Sequence, residues 1–513
     1  MIVTRCVRGG VLLSTLLVLA LSFACSASAQ SSQAINGPLK VSLVNPRYFT
    51  NNSGKAVYLT GSNSWGNFQD MGFTDPPAAF DYNAYLNFLT KYNHNFIRLW
   101  MFENTRSDKA VSPPYSRYHQ PMIYSRTGPG SANDGKLKFN VHQFNQSYFD
   151  RLRQKVIAAR DRGIYVGIML FEGFSVWNRG GNAWYYHPYN PANNASGIDG
   201  DTNNNNDGEE VHSLLVPQTL SLQEAYVRKV IDTVNDLDNV LYEISNEDNA
   251  SASDWQNYLI NFIKNYEKSK PKQHPVGKTS FWDFATNPLL YNSPGDWVSP
   301  TAHPCSRAQN CGTADTDYAK NPPAATGKKV ELLDTDHIGR GMYEKDGDFA
   351  RAWVWKSLLR GYNPIYLEVL PNSQISKEDY TASWGDTPFV PARYAMGYTL
   401  TYANKMNLIA MTPQNSLSST AYCLANVGNE YLVYQPDYTL TTNSSFTVSL
   451  SAGTYIFEWF NPITGKVAST GTITASGGNK SFTAPFPRDA VLYIKKSGDT
   501  TAPNAPSNLR VLP

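Results

Sequence analysis

Short apolar runs alternate with longer segments of helical periodicity between about residues 40 and 370. Eight of these runs are rich in β-branched and aromatic residues, which is typical of buried strands. They span 56–61, 96–101, 164–171, 240–245, 276–281, 297–302, 329–334 and 364–369. The helix-like segments between them include 81–92, 148–161, 221–237, 254–268 and 349–360. Eight such units predict an α/β fold, a (β/α)8 TIM barrel with helices around a parallel sheet.

The pattern changes near Asn407 to short alternating strands, at 421–427, 431–435, 445–450, 454–461 and 490–495. Turn residues separate them at close intervals, which predicts a small all-β sandwich. We therefore expect a catalytic barrel over 36–406 and an accessory sandwich over 407–496. Residues 497–513 indicate a linker and the start of a fibronectin type III-like segment.

The first 29 residues have the pattern of a signal peptide. Arg5 and Arg8 precede an apolar stretch at 11–23, and the small residues Ala27 and Ala29 precede a cleavage site. A secreted or periplasmic protein is expected. Anchoring as a lipoprotein through Cys25 is the alternative, but the residues before Cys25 make a poor lipobox. No later segment reaches 18 uninterrupted apolar residues, so no membrane span is expected.

The charge and the cysteine content bear on which partners and ligands to expect. A net charge of +2 with 17% charged residues and no basic run gives no indication of nucleic-acid binding. In an oxidising compartment Cys305 and Cys311 could form a disulfide across a short polar loop, whereas Cys423 in an alternating run is interpreted as a buried core thiol. No cysteine cluster has metal-ligand spacing, and neither a metal nor a cofactor is predicted.

Polar side chains follow almost every predicted barrel strand, at the end where TIM-barrel active sites form. The run 240–245 ends in Asn246 and Glu247, and the seventh strand ends in Asp334, Asp336 and His337. The candidate substrate-binding residues at these strand ends and in the loops after them are Trp65, Arg98, Glu103, Glu172, Trp177, Trp184, Asn246, Trp282, His303, His337 and Glu368. Together they predict an active site lined by carboxylates.

Two carboxylates on opposite walls of a cleft are what hydrolysis of a glycosidic bond requires. The fourth and seventh strands face each other across a barrel, so Glu247 is the predicted acid/base and Asp334 or Asp336 the nucleophile. Parity puts both aspartates on the same side of their strand. The sequence leaves open which of them reacts, and whether the carboxyl separation favours retention or inversion of the anomeric configuration.

These motifs resemble the large clan of retaining glycoside hydrolases built on the TIM barrel. In that clan the acid/base Glu follows an Asn, as in Asn246-Glu247, and an Arg on strand two, matched by Arg98, positions the nucleophile. The segments 45–49 and 57–65 are similar to apiosidase-like bacterial hydrolases, and 455–465 is similar to the sandwich that follows such barrels and is named for collagen binding. That binding is not inferred here. The chain departs from the clan on strand seven, where Asp replaces Glu.

The loop after the third strand is long and polar. Trp177 and Trp184 are candidates to stack on sugars. Asp or Asn occupies every second position from Asp199 to Asp207, a spacing similar to calcium loops, but glycine and the closing glutamate stand at other offsets than in an EF-hand. We therefore interpret 199–210 as a solvated loop, with a calcium site as the alternative.

The predicted function is hydrolysis of a polysaccharide or oligosaccharide. A non-catalytic carbohydrate-binding protein on a degenerate barrel is the alternative, because of the aspartate on strand seven. A metal-dependent hydrolase would need a histidine-rich rim, whereas only His303 and His337 follow predicted strands. The sugar, the linkage, endo or exo action and the oligomeric state depend on surfaces that the sequence does not specify.

Overall fold

Eight parallel strands form one sheet in the computed structural model, which describes residues 34–109, 115–177, 181–281, 287–301, 318–338, 346–368 and 390–498. The strands are β1 (Gly61–Asn63), β2 (Phe96–Leu99), β3 (Tyr165–Glu172), β4 (Val240–Asn246), β5 (Val276–Thr279), β6 (Trp297–Ser299), β7 (Val330–Asp334) and β8 (Asn363–Leu367). Each pairs with its neighbour in chain order from β2 to β8, and β8 pairs with β1. The backbone N–H groups of Asn95 and Phe96 donate to the carbonyl of Thr60 at 3.0 and 3.2 Å, which draws β1 and β2 together. The predicted TIM barrel is confirmed.

Helices lie between the strands along the chain, as an α/β barrel requires. They are α1 (Tyr82–Lys91), α2 (Gln146–Arg160), α3 (Gly173–Val176), α4 (Pro217–Val234), α5 (Ser253–Glu267), α6 (Asn287–Tyr291), α7 (Gly347–Leu359) and α8 (Val390–Lys405). Asp81, Asn145 and Asp346 cap the first turns of α1, α2 and α7 through their side chains. Among the described residues, no helix has the length and apolar character needed to cross a bilayer.

The prediction for the first barrel strand was wrong in its bounds. Ala56–Val57 pairs antiparallel with Phe49–Thr50, which also pairs with Lys40–Val41, and β1 begins only at Gly61. Residues 57–64 are all buried, so the hydrophobic pattern does not mark where one sheet ends and the next begins. Leu39, Phe49 and Val57 belong to the apolar cluster that contains the first residues of several barrel strands. This small sheet therefore closes the end of the barrel opposite the strand tips.

The interior near that end is filled by one large ring. Trp297 at the start of β6 is buried, and a Cβ at Gly277 on the adjacent β5 would lie 1.9 Å from its ring. Only glycine leaves room for the indole at this position. The opposite end, where the strands finish, carries the polar side chains.

Antiparallel sheets follow the barrel. One contains β9 (Thr412–Pro413), β10 (Cys423–Asn426), β11 (Glu430–Gln435), β13 (Gly453–Asn461), β14 (Lys466–Ala475) and β16 (Ala490–Lys496), and the other pairs β12 (Asn443–Leu450) with β15 (Gly478–Pro487). Cys423 is buried in the core that the two sheets share, as predicted, and burial raises the pKa of its thiol to about 12. The first sheet also packs on α7 and α8, where Trp355 stacks on Tyr434 with 6.1 Å between ring centroids. The exact domain boundaries stay predictions.

A buried ion pair joins α7 to the turn between β15 and β16. Arg351 donates to both carboxylate oxygens of Asp489 at 2.8 and 3.0 Å, and the Tyr434 hydroxyl donates to one of them at 2.9 Å. Removing one partner of such a pair leaves an uncompensated buried charge.

We expect Asp489→Asn to lower the free energy of unfolding by about 3 to 5 kcal/mol, measured by chemical denaturation, because the buried Arg351 then keeps only the half-buried Asp348 as a counter-charge. The matched control is Asp236→Asn, which breaks the exposed pair with Arg153 and should cost about 1 kcal/mol or less. Equal losses in the two variants would contradict a stabilising role for the buried pair.

Candidate active site

The guanidinium of Arg98 lies at the centre of the barrel mouth. It is 1% exposed and donates to both oxygens of Glu243 on β4, at 2.5 and 2.8 Å, and to Asp334 Oδ2 on β7 at 2.8 Å. Its carbon lies 4.7 Å from the Trp100 ring centroid. Burial disfavours the charge, but the carboxylates of Glu243 and Asp334 raise the pKa of Arg98, so it stays cationic. One charge thus joins β2, β4 and β7.

Asp334 is a fixed part of this cluster. It is 1% exposed, and its Oδ2 also accepts from the Asn63 side chain at 3.4 Å, while its Oδ1 accepts from the backbone N–H of Asp336 at 3.0 Å. Burial raises the pKa of Asp334, and the charge of Arg98 works against that rise. Both carboxylate oxygens therefore have partners within the protein.

Asn246 and His337 connect the Arg98 cluster to the strand tips. Asn246 Oδ1 accepts from Arg98 at 2.8 Å and from His337 Nε2 at 3.0 Å, so this ring nitrogen carries the proton. Nδ1 of His337 lies 2.8 Å from the Ser299 hydroxyl, which can donate to it. Burial lowers the pKa of His337 well below its usual range, and Arg98 lowers it further. The imidazole is neutral; Ser299 holds its Nδ1, and its Nε2 fixes the Asn246 amide.

Glu172 at the end of β3 is a buried acid beside Asn246. The two residues are register partners, and Asn246 Nδ2 lies 3.4 Å from each carboxylate oxygen of Glu172. Burial raises the pKa of Glu172 well above its usual range, and the nearby carboxylate of Asp336 adds to the rise. Burial beside Asn246 therefore disfavours a negative charge on Glu172.

Glu247 and Asp336 are the half-buried carboxylates of the mouth. One oxygen of each and one ring nitrogen of His337 lie within 4.8 Å of one another. Glu247 has a φ of +47°, a left-handed conformation that is unfavourable for a residue with a side chain and that concentrates at functional sites. A Cβ at Gly173 would lie 2.6 Å from the Glu247 carbonyl oxygen, so glycine lets the β3 end pack against this strained turn.

The donor set of these three residues suits acid–base chemistry better than a metal. Both nitrogens of His337 are already engaged, by Ser299 and by Asn246. A metal would have to break one of these contacts to gain the imidazole as a ligand.

A second buried charge network lies behind Glu247. His212 donates to Asp248 Oδ1 at 2.6 Å and to Glu103 Oε1 at 3.0 Å, and it stacks on Trp255 with 4.4 Å between ring centroids. Although burial opposes its charge, Asp248 and Glu103 raise the pKa of His212 to about 10. Burial also opposes the charge of Glu103, but His212 and His187 lower its pKa to about 2. The His212 imidazolium, which lies between two carboxylates, thus holds Asp248, the residue next to Glu247.

The structure brings together seven of the predicted site residues and separates others from them. The assembled set is Arg98, Glu172, Asn246, Glu247, Asp334, Asp336 and His337. Trp65 is half-buried, with the Arg117 guanidinium 5.2 Å and the Trp100 ring 6.1 Å from its ring centroid. Trp177 and Trp184 are 2% and 1% exposed and belong to the barrel's apolar cluster, which favours core packing over sugar contact.

Two of the predicted substrate-binding carboxylates have internal partners. Glu368 forms a buried ion pair with Arg393 at 2.5 Å and accepts from Ser62 at 2.8 Å, while Glu103 belongs to the His212 network. These contacts favour structural roles. Trp282, His303, Cys305 and Cys311 lie outside the described residues.

Sequence reasoning missed Glu243, His212, Asp248 and Ser299. Glu243 had a signal, because it is a charge inside a buried apolar strand, as Arg98 is in β2, and two such charges predict a pair. No sequence signal marked His212, since its partners Asp248 and Glu103 stand 36 and 109 residues away in sequence.

A cavity of about 460 Å³ lies under the insertion between β2 and α2. Its wall includes Thr105, Tyr118, Tyr124, Arg126 and Asp134. This mixture of aromatic rings and charged groups is of a kind that binds polar ligands. None of the predicted site residues lines it.

Comparisons with known proteins agree with this geometry. Residues 91–286 match a domain of unknown function, DUF6298. No curated protein matches the sequence.

The fold is similar to the crystal structure of a glycoside hydrolase family 5 protein from Bacteroides vulgatus. The TM-score is 0.60 at 15% identity, with coverage of 91% of this chain and 96% of that chain. A second structure, a glycoside hydrolase, matches with a TM-score of 0.58, 15% identity, and coverage of 91% and 99%. The chain therefore shares the barrel fold of these two structures.

The His212 network predicts a pH-dependent stability. Because the folded-state pKa of His212 is about 10 and its usual value is 6.5, its charge stabilises the fold fully below pH 6.5, and this contribution is lost as pH rises through 10. We expect His212→Gln to melt well below the wild type at pH 6 and to approach it by pH 10. The measurement is the melting temperature of both proteins across this range.

The control is His142→Gln at an exposed position, which should leave the melting temperature unchanged at every pH. A difference between wild type and His212→Gln that stays constant from pH 6 to pH 10 would show that His212 acts through packing and not through its charge.

Proposed function

We propose that this protein hydrolyses glycosidic bonds of a polysaccharide or oligosaccharide by a retaining mechanism, with Glu247 as acid/base and Asp336 as nucleophile. The observation that carries the proposal is that one carboxylate oxygen of Glu247, at the end of β4, lies within 4.8 Å of one carboxylate oxygen of Asp336, after β7. Retaining enzymes hold their carboxyl groups about 5 to 5.5 Å apart, and inverting enzymes about 6.5 to 9.5 Å. The short separation supports retention.

Asp336 is preferred over Asp334 because of what each oxygen contacts. Asp334 is 1% exposed and bound by Arg98, Asn63 and the backbone of Asp336. Arg98, which by the resemblance positions the nucleophile, binds Asp334. A nucleophile must nevertheless reach the anomeric carbon, and a carboxylate that is enclosed on both oxygens cannot do so without breaking its ion pair. Asp336 is half-buried and lies beside Glu247.

The proposed reaction has two steps. In the first, an Asp336 oxygen attacks the anomeric carbon while Glu247 donates a proton to the leaving oxygen, so the glycosidic bond breaks and an ester to Asp336 forms. In the second, Glu247 takes a proton from water, whose oxygen attacks the same carbon and releases Asp336. Each step inverts the configuration, and the product retains that of the substrate.

The surrounding charges support these roles. Arg98 offsets one of the negative charges of Glu243 and Asp334, and its field extends to Asp336, which contributes to the raised pKa of Arg98. Burial favours the neutral form of Glu172 next to Asn246, which limits the negative charge around Glu247 and Asp336. Asn246 and His337 act as positioning residues, since their polar atoms bind other side chains.

Other features are consistent with a carbohydrate substrate. Trp65 offers a half-buried aromatic ring near the end of β1. The signal-like pattern of residues 1–29 supports an exported enzyme that meets polysaccharides outside the cytoplasm.

The test is hydrolysis of a panel of plant and bacterial polysaccharides by the wild type, Glu247→Ala and Asp336→Ala. We expect sugar release by the wild type with retained configuration in proton NMR, and a loss of at least about 100-fold in each variant. Azide should restore turnover in both, because it can replace a missing carboxylate. It should give a glycosyl azide of inverted configuration with Asp336→Ala and of retained configuration with Glu247→Ala.

Asp334→Ala is the matched control. It should also lose activity, because Arg98 loses a partner, but azide should not restore it. If azide restored turnover to the Asp334 variant and not to Asp336→Ala, Asp334 would be the nucleophile. Binding of a polysaccharide without turnover by the wild type would favour the non-catalytic alternative.

A further inference from the structure

The cavity of about 460 Å³ under the insertion between β2 and α2 has walls from two short antiparallel sheets. In one sheet the strand Tyr115–Gln120 pairs with Arg106–Lys109 and with Asp70–Gly72, and in the other Tyr124–Ser125 pairs with Asn140–Phe144. The volume lies within the range of about 300 to 1,000 Å³ that small-molecule pockets occupy. Because the insertion follows the end of β2, the cavity lies on the same face of the barrel as the mouth.

One strand of the insertion carries two open polar side chains that line the cavity. Tyr118 and Gln120 stand two residues apart in this strand, so their side chains lie on the same face of the sheet, and both residues are half-buried. Within the described part of the chain, no group forms a hydrogen bond with the Tyr118 hydroxyl or with the Gln120 side-chain amide. A hydroxyl and an amide are therefore available to a ligand that both donates and accepts hydrogen bonds.

The charged side chains of the cavity wall are paired with one another. Arg126 contacts both carboxylate oxygens of Asp134, with Nη1 3.2 Å from Oδ1, and Lys136 Nζ lies 2.6 Å from Asp75 Oδ1. Burial lowers the pKa of His119 to about 3, so this ring adds no charge. The positive and negative charges of the wall are thus equal in number, and a charged ligand would find no unpaired counter-charge among them.

Aromatic rings supply the apolar part of the wall. Tyr124 and Phe139 are buried, and the Arg126 guanidinium lies 4.0 Å from the Phe139 ring centroid. The half-buried ring is that of Tyr118, beside its free hydroxyl. A sugar presents C–H groups on its ring faces and hydroxyls at its edges, so it can stack on an aromatic ring while its hydroxyls reach the polar groups beside that ring. A neutral sugar therefore fits this wall better than an ion or a purely apolar molecule does.

The cavity is separate from the barrel mouth but is connected to its supporting structure. Neither Glu247 nor Asp336 lines the cavity. The hydroxyl of Thr105 donates to Asp134 Oδ2 in the cavity wall at 3.1 Å. Thr105 follows Glu103 by two residues, and Glu103 belongs to the charge network behind Glu247. A sugar in the cavity would thus lie beside the mouth and outside the reacting centre.

We propose that this cavity binds a short segment of a neutral carbohydrate as a second, non-catalytic site, through the Tyr118 ring and hydroxyl and the Gln120 amide. The choice of carbohydrate rests on the proposed function, because a glycoside hydrolase meets sugar chains on this face of the barrel. A chain held here would remain close to the mouth between cleavage events.

The experiment measures binding by the full chain carrying Glu247→Ala, so that turnover does not consume the ligand. Cellobiose, maltose and lactose are the neutral probes in calorimetric titrations, and glucuronic acid is the charged probe. We expect saturable binding of at least one disaccharide and weaker binding of glucuronic acid. Adding Tyr118→Ala or Gln120→Ala should weaken the Kd of that disaccharide by at least about fivefold, as one lost contact would. Trp65→Ala should weaken only binding in the mouth.

The matched control is Tyr258→Ala on α5, which removes an exposed tyrosine outside the cavity and should leave the Kd unchanged. Circular dichroism checks the fold of each variant, so that misfolding of one cavity variant leaves the other to decide. No saturable binding of any neutral disaccharide, tighter binding of glucuronic acid, or an unchanged Kd in the folded cavity variants would overturn the proposal. Disaccharide binding that depends on Tyr118, in a protein whose wild type hydrolyses no polysaccharide, would instead contradict only the proposed hydrolase function.

Discussion

The buried charge of Arg98 is the constraint on which the barrel mouth depends. A guanidinium enclosed in a protein needs charged and polar partners on most of its donors. Here they come from Glu243, Asp334 and Asn246, which stand 145, 236 and 148 residues away in sequence. These contacts therefore tie β2, β4 and β7 together across the barrel mouth. The positions of Glu247 and Asp336 follow from this, because each comes one or two residues after a partner of Arg98.

The acidic residues of the mouth divide into those that hold the structure and those that remain accessible. Glu243 and Asp334 neutralise Arg98, and Glu103 and Asp248 neutralise His212. Burial disfavours the negative charge of Glu172. The half-buried carboxylates that remain are Glu247 and Asp336, next to each other at the tips. Their proximity is less unfavourable because Arg98 and His212 each offset one of the nearby negative charges.

The sequence predicted the barrel and much of its mouth, because both depend on local patterns. Buried strands of five to eight residues, such as β3, β4 and β7, stand out in any window of that length. Parity could not separate Asp334 from Asp336, since both point to the same side of the strand. The difference between them is contact with Arg98, which no local pattern contains. Trp184 was a candidate to stack on sugars, but it is buried in the core. An aromatic residue in a loop looks the same in sequence whether it faces solvent or the core.

The central claim is that Asp336, held beside Glu247 by the Arg98 cluster, forms a covalent bond to the sugar. A 2-deoxy-2-fluoro glycoside of the released sugar, with a good leaving group, would slow the second step and trap that ester. Peptide mapping by mass spectrometry should then find the sugar on the peptide that contains Asp334 and Asp336, with fragmentation assigning it to Asp336. Labelling of Asp334 or Glu247, or products of inverted configuration with no trapped ester, would contradict the account.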